Sequence, residues 1–65
     1  MADLEPARIE IVEALGCLED AHSAVMPGQS PRSTRDDIAD AIAFARPLIA
    51  EALAHLNKAE NLVGM

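Results

Sequence analysis

Glu19 and His22 form an E-x-x-H pair, whose types and spacing could hold a metal. A carboxylate and an imidazole one helical turn apart can bind one metal ion, as they do in di-iron bundles. A complete di-iron site needs a second such motif, and Glu51 with His55 has a different spacing. The alternative is an ordinary hydrogen bond between the two side chains at the edge of a bundle. Metal at Glu19 and His22 is therefore the third of three functional hypotheses, and we expect no cofactor.

A second cluster surrounds the start of the second periodic segment, where arginines and hydroxyls lie close together in sequence. A helix N-terminus presents unpaired N–H groups and favours anions, so this cluster could hold the phosphate of a nucleotide. In the alternative, the hydroxyls only cap the helix, the arginines pair with glutamates at the rim, and Asp36 and Asp37 repel an anion. The candidate ligand-binding residues are Arg32, Ser33, Thr34, Arg35, Arg46 and Arg8. Of these, Arg46 lies beside Pro47, and Arg8 is far from the loop in one hairpin and would have to come from a neighbouring subunit.

Other kinds of chemistry have little support in the sequence. Cys17 lies toward Glu10 and Glu13, whose charges would raise the pKa of its thiol and leave it unreactive. The chain carries no credibly spaced Ser-His-Asp or Cys-His group and no G-x-x-x-x-G-K motif. Two helices also offer little room for a site that excludes water. We therefore expect no enzyme and no catalytic residues.

The composition limits the partners. The 65 residues form one domain at most and carry a net charge of −6, which disfavours nucleic acid and anionic membranes. One cysteine allows no disulfide within the chain, which fits a reducing compartment. We find no apolar run near the roughly 20 residues that a membrane span needs, and no signal peptide. The expected location is cytoplasmic.

Hydrophobic periodicity predicts one domain over 1–65, an all-α antiparallel helical hairpin. The first helix covers about 4–26, the loop 27–33 and the second helix about 34–63. Pro47 interrupts the second periodic segment; we expect a kink there, because the apolar register continues across it, with a true break as the alternative.

Signals for helix ends agree with this arrangement. Asp3 can cap the first helix, and Pro27-Gly28 can stop it. Two overlapping capping signals precede the second helix, namely Thr34 with Asp37 and Ser33 with Asp36.

The register of large side chains predicts which surfaces the helices use. Positions alternating by threes and fours predict a seam between the helices. Its members are Leu4, Arg8, Ile11, Leu15, Leu18, His22 and Val25 in the first helix and Ile38, Ile42, Ala45, Ile49, Ala52, Leu56, Ala59 and Val63 in the second. Further apolar residues lie outside this seam, so we expect a four-helix-bundle dimer or a higher oligomer that covers them. The predicted oligomer interface consists of Ile9, Val12, Gly16, Phe44, Leu48 and Leu62.

Together these features predict an oligomeric, non-catalytic protein-interaction module that regulates or inhibits a partner. The partners would be a second copy and another protein or a small anionic ligand. The alternative is a protein that binds or sequesters a small phosphorylated ligand, such as a nucleotide, at the loop or at a subunit interface. The third hypothesis is the metal-binding bundle at Glu19 and His22.

Overall fold

A computed structural model describes residues 3–64. Helix α1 (Glu5–Val25) leads through one 3₁₀ turn (Met26–Gly28) and an irregular connection into helix α2 (Arg35–Val63). The two helices pack against each other along an extended body of 54 × 13 × 12 Å. No strand forms within residues 3–64. The predicted all-helical hairpin is therefore confirmed.

Local hydrogen bonds fix the ends of both helices. The carboxylate of Asp3 accepts a hydrogen bond from the Glu5 N–H at 3.0 Å. Thr34 accepts from the Asp37 N–H at 3.1 Å while the Asp37 carboxylate accepts from the Thr34 N–H at 2.9 Å, which makes a reciprocal capping box. Of the two overlapping capping signals, the structure uses this one. Gly64 ends α2 in the left-handed conformation at φ 77°.

The connection between the helices is tied down by its own backbone and side chains. The Gln29 N–H donates to the Met26 carbonyl at 3.1 Å, and the Ser33 hydroxyl donates to the Pro27 carbonyl. A Cβ on Gly28 would lie 3.2 Å from the Cβ of Ala41, so this position lets the chain approach α2 closely. The turn is thereby held against the first turns of α2.

Helix α2 continues through Pro47 without a break. Pro47 is exposed, so its ring and the unpaired carbonyl of the preceding turn can meet water. This continuity excludes the three-helix alternative, and a bend at Pro47 stays a prediction.

Within residues 3–64 the buried core consists entirely of alanines. In α1 they recur at seven-residue intervals, and in α2 three of the four do the same, the spacing of residues that face a neighbouring helix. Small side chains let the two helix backbones approach closely. We call this set the alanine seam; it comprises Ala7, Ala14, Ala21, Ala41, Ala45, Ala52 and Ala59.

The predicted seam was wrong in α1 and partly right in α2, where its members Ala45, Ala52 and Ala59 are buried. Leu15 and Ile49, which were placed at its centre, are 54% and 52% exposed. The first helix is rotated so that Ala14, rather than Leu15, faces α2. The physical reason is that two helices touch along one narrow line, and alanine permits the closest contact along it. The large side chains then lie beside that line.

Candidate interaction face and polar cluster

Large aliphatic side chains line one side of the alanine seam along the whole hairpin. They occur at three-, four- and seven-residue intervals on each helix, which places them in rows on one surface. Each is between 39% and 56% exposed. We call this surface the aliphatic face; it comprises Leu4, Ile11, Leu15, Leu18, Ile38, Ile42, Ile49, Leu53, Leu56 and Val63.

The aliphatic face deepens into a groove at the end of the hairpin opposite the turn. The groove encloses about 410 Å³ and is lined by side chains of both helices: Ala7, Ile11, Leu56, Ala59, Glu60 and Val63. It is open to solvent and almost wholly apolar. Such a groove suits an apolar side chain of another molecule better than a polar ligand.

The opposite side of the seam carries ionisable groups that bridge the two helices. The Glu10 carboxylate accepts a hydrogen bond from His55 Nδ1 at 2.6 Å and lies 3.4 Å from Lys58 Nζ. Glu10 is only 13% exposed, so these contacts hold it against α2. We call this surface the polar face; it comprises Glu10, Glu13, Cys17, Asp20, Glu51, His55 and Lys58.

The surroundings of Glu10 and of Cys17 shift the pKa values of these two groups in opposite directions. The hydrogen bond from His55 lowers the pKa of Glu10; burial opposes this shift, and Lys58 adds to it. Burial raises the pKa of the Cys17 thiol, and the charge of Glu51 raises it further. A raised pKa makes the Cys17 thiol less readily ionised and less nucleophilic, the direction that its acidic surroundings predicted.

Cys17, Glu51 and His55 form the one cluster of three potential metal ligands within residues 3–64. A sulfur, a carboxylate oxygen and a ring nitrogen lie within 4.8 Å of one another. Cys17 and His55 are half-buried, while Glu51 is exposed. Glu51 and His55 are four residues apart and so lie on the same face of α2, opposite Cys17 of α1.

The structure places the predicted metal pair, Glu19 and His22, elsewhere. Both are exposed on α1, and helical spacing from Leu15 and Leu18 puts His22 beside the aliphatic face. Neither belongs to a cluster of three donor side chains in the part of the chain that the structure describes. The pair has two ligands at most from one hairpin.

The predicted phosphate-binding residues of the turn are largely engaged in local structure. The Ser33 hydroxyl bonds to the Pro27 carbonyl, and Thr34 caps α2. Asp37 occupies the N–H of Thr34, which places a negative charge at the helix start. Arg32 and Arg35 are exposed beside it.

The other two predicted arginines lie away from the turn. Arg46 follows Arg35 by eleven residues, which is about 16 Å along the helix axis. Arg8 is at the opposite end of the hairpin, 3.6 Å from the Glu5 carboxylate. One chain therefore does not gather its arginines around one phosphate.

The residues of the predicted oligomer interface divide between two surfaces. Ile9, Val12 and Gly16 are exposed on the side of α1 that faces away from α2, since they lie about half a turn from buried Ala14. Phe44, Leu48 and Leu62 lie on the polar-face side of α2, in the row of His55, since Leu48 and Leu62 are each seven residues from it; Leu48 is half-buried. Their role in assembly stays a prediction.

Sequence reasoning missed both the aliphatic face as a separate surface and the Cys17 cluster. The seven-residue recurrence from Ala7 to Ala21, continued by Gly28, carried the signal for the true seam. Once that register is set, Cys17 lies beside the seam on the same side as His55. Without that register, Cys17 and His55 could not be recognised as neighbours.

Comparisons with known proteins give no family for this chain. It matches no protein-family model, and neither a curated protein nor a solved structure is similar to it. Over residues 3–64, neither helix combines the length and the hydropathy that a membrane span requires. Function must therefore be argued from the two faces.

Proposed function

We propose that the chain is a non-catalytic interaction module that self-associates through its aliphatic face. The observation that carries the proposal is the division of side chains: the core of the hairpin is all alanine, and the large aliphatic residues lie outside it. Contiguous apolar surface of this kind is typical of protein interfaces. A second hairpin supplies a matching surface, because a two-fold dimer joins identical patches.

The hairpin exposes more surface than a compact protein of its mass does, and the excess is large enough for an interface with a second copy. The accessible surface is 5091 Å², whereas a compact folded protein of this mass exposes about 4,000 Å². The radius of gyration, 15.3 Å, also exceeds the roughly 11 Å of a compact domain of this length. The excess surface is about 1,100 Å² per chain, which compares with the roughly 800 Å² per partner of a stable interface. Pairing two aliphatic faces gives a four-helix bundle.

The polar face would remain exposed in such a bundle. Its surplus of carboxylates over Lys58, within a chain of net charge −6, favours a partner protein with a basic surface. Regulation or inhibition of that partner is the function we propose for the assembled module. The phosphorylated-ligand alternative has less support within one hairpin, because Arg8 and Arg46 lie away from the turn, and it would need a neighbouring subunit to supply Arg8.

Sedimentation equilibrium tests self-association directly. We expect the wild-type chain to form at least a dimer at micromolar concentration. Ile49→Glu should shift it to monomer, since a charge at the centre of the aliphatic face must be desolvated on assembly. The matched control is Ala54→Glu, an exposed position on the outer side of the same helix, which should leave the mass unchanged.

A folded wild-type monomer across the micromolar range would contradict the proposal. An oligomer that both glutamate variants retain would place the interface on another surface. Pull-down on immobilised basic and acidic proteins would then test the partner proposal separately, with retention only on the basic protein as the expected result.

A further inference from the structure

We infer that Cys17, Glu51 and His55 form a binding site for a zinc ion on the polar face. Their donor atoms already lie within 4.8 Å of one another. In a tetrahedral zinc site, neighbouring donor atoms are roughly 3.5 Å apart. Side-chain rotations that move these donor atoms by about an ångström would complete the geometry. Glu51 is exposed and can make most of this movement.

The donor set selects the class of metal. A thiolate and an imidazole are ligands of Zn²⁺ and similar transition metals, whereas Ca²⁺ and Mg²⁺ require oxygen ligands. Three protein donors leave one tetrahedral position, which water can occupy because the cluster is open to solvent. The expected stoichiometry is one ion per hairpin.

Glu10 supplies the supporting contact that zinc-binding histidines usually have. Its carboxylate holds His55 Nδ1 at 2.6 Å, which leaves Nε2 as the nitrogen for the metal. Carboxylate–histidine–zinc arrangements of this kind fix the ring and make its other nitrogen a better ligand. Glu10 is a positioning residue here, not a ligand.

The charge around the cluster favours a cation. Glu13 and Asp20 act on Cys17 from α1, and Glu51 acts on it from α2. Binding replaces the thiol proton of Cys17 with the metal, and that proton passes to solvent. The site lies within one hairpin and on the side away from the aliphatic face, so the inference does not depend on self-association.

Titration of the wild-type chain with Co²⁺, a spectroscopic substitute for zinc, tests the site. We expect a thiolate-to-cobalt charge-transfer band that saturates at one equivalent per chain and disappears when Zn²⁺ is added. Cys17→Ser should abolish the band, and His55→Gln should weaken binding. Glu10→Gln should weaken it by about 10- to 100-fold without changing the stoichiometry.

The control is the double variant Glu19→Gln with His22→Gln, which removes the other carboxylate–imidazole pair and should bind Co²⁺ like wild type. A band that this control loses, or that Cys17→Ser retains, would overturn the site. Absence of the band from the wild-type chain would do so as well.

A second measurement needs no substitution and so does not depend on whether the variants fold. Zn²⁺ should slow alkylation of Cys17 in the wild-type chain, while Mg²⁺ at the same concentration should not. Equal alkylation rates with and without Zn²⁺ would contradict the inference.

Discussion

The alanine seam and the aliphatic face run side by side along the same two helices, yet they differ in side-chain size and in exposure. The seam packs the smallest apolar side chains against each other, and they are at most 6% exposed. The aliphatic face carries the larger residues, which are roughly half exposed and lie some tens of degrees around each helix from the seam. Hydrophobicity alone would place the larger residues inside.

The difference is the basis of our proposal that a second copy covers the aliphatic face. Each buried methylene contributes about 0.8 kcal/mol, so a leucine side chain gains far more from burial than an alanine methyl group does. The single hairpin leaves about half of that gain unused. A partner that covers the aliphatic face would bury the remainder.

Truncation at the aliphatic face should give the largest effect. We expect Leu15→Ala and Ile49→Ala each to lower the free energy of unfolding of the assembled protein by about 2–5 kcal/mol. Urea denaturation at high and low protein concentration measures this, and the loss should shrink on dilution to monomer.

Val12→Ala is the control for that pair. Val12 is 65% exposed on the outer side of α1, and its truncation should change stability little at either concentration. A larger loss at Val12 than at Leu15 would move the interface to the predicted set of Ile9, Val12 and Gly16.

Enlarging a residue of the alanine seam should give the next largest effect. Ala14→Leu should destabilise the protein by about 1–3 kcal/mol, because the longer side chain forces the helices apart. Thermal unfolding followed by circular dichroism measures the change, with exposed Ala54→Leu as the control. If Ala14→Leu is as stable as the control, Ala14 does not face α2.

Substitution at Gly16 should give the smallest effect and the opposite sign. A Cβ at this position meets nothing within 4 Å, so Gly16→Ala should stabilise the helix by about 1 kcal/mol. Chemical denaturation measures the gain. A loss of stability together with a loss of oligomer mass would show instead that another helix approaches α1 at Gly16.

The hairpin could be predicted because its signals are local. Periodicity over α1 and α2, the stop at Pro27-Gly28 and the cap at Thr34 each depend on neighbouring residues only. The seam could not be predicted from the largest side chains, because burial in a two-helix protein is limited by geometry. Alanine lies where the helices touch. The predicted seam contained Ala45, Ala52 and Ala59 of α2 but none of the three buried alanines of α1.

The polar cluster was missed for a related reason. Glu19 and His22 share one helix face and are visible as a motif, whereas Cys17 meets His55 only after the rotation of each helix and their alignment are known. The rotation and the alignment follow from the recurrence of the seam alanines, such as Ala14 in α1 and Ala52 in α2. They do not follow from the ionisable residues themselves.

The dependence of the melting temperature on protein concentration tests the central claim most directly. If the aliphatic face is covered by a second copy, folding and assembly are linked and the midpoint of the wild-type chain must rise with concentration. We predict a steady rise over a hundredfold range, and a flat response for Ile49→Glu. A wild-type midpoint that does not change over that range would contradict the account, since it would show that the alanine seam stabilises the hairpin alone.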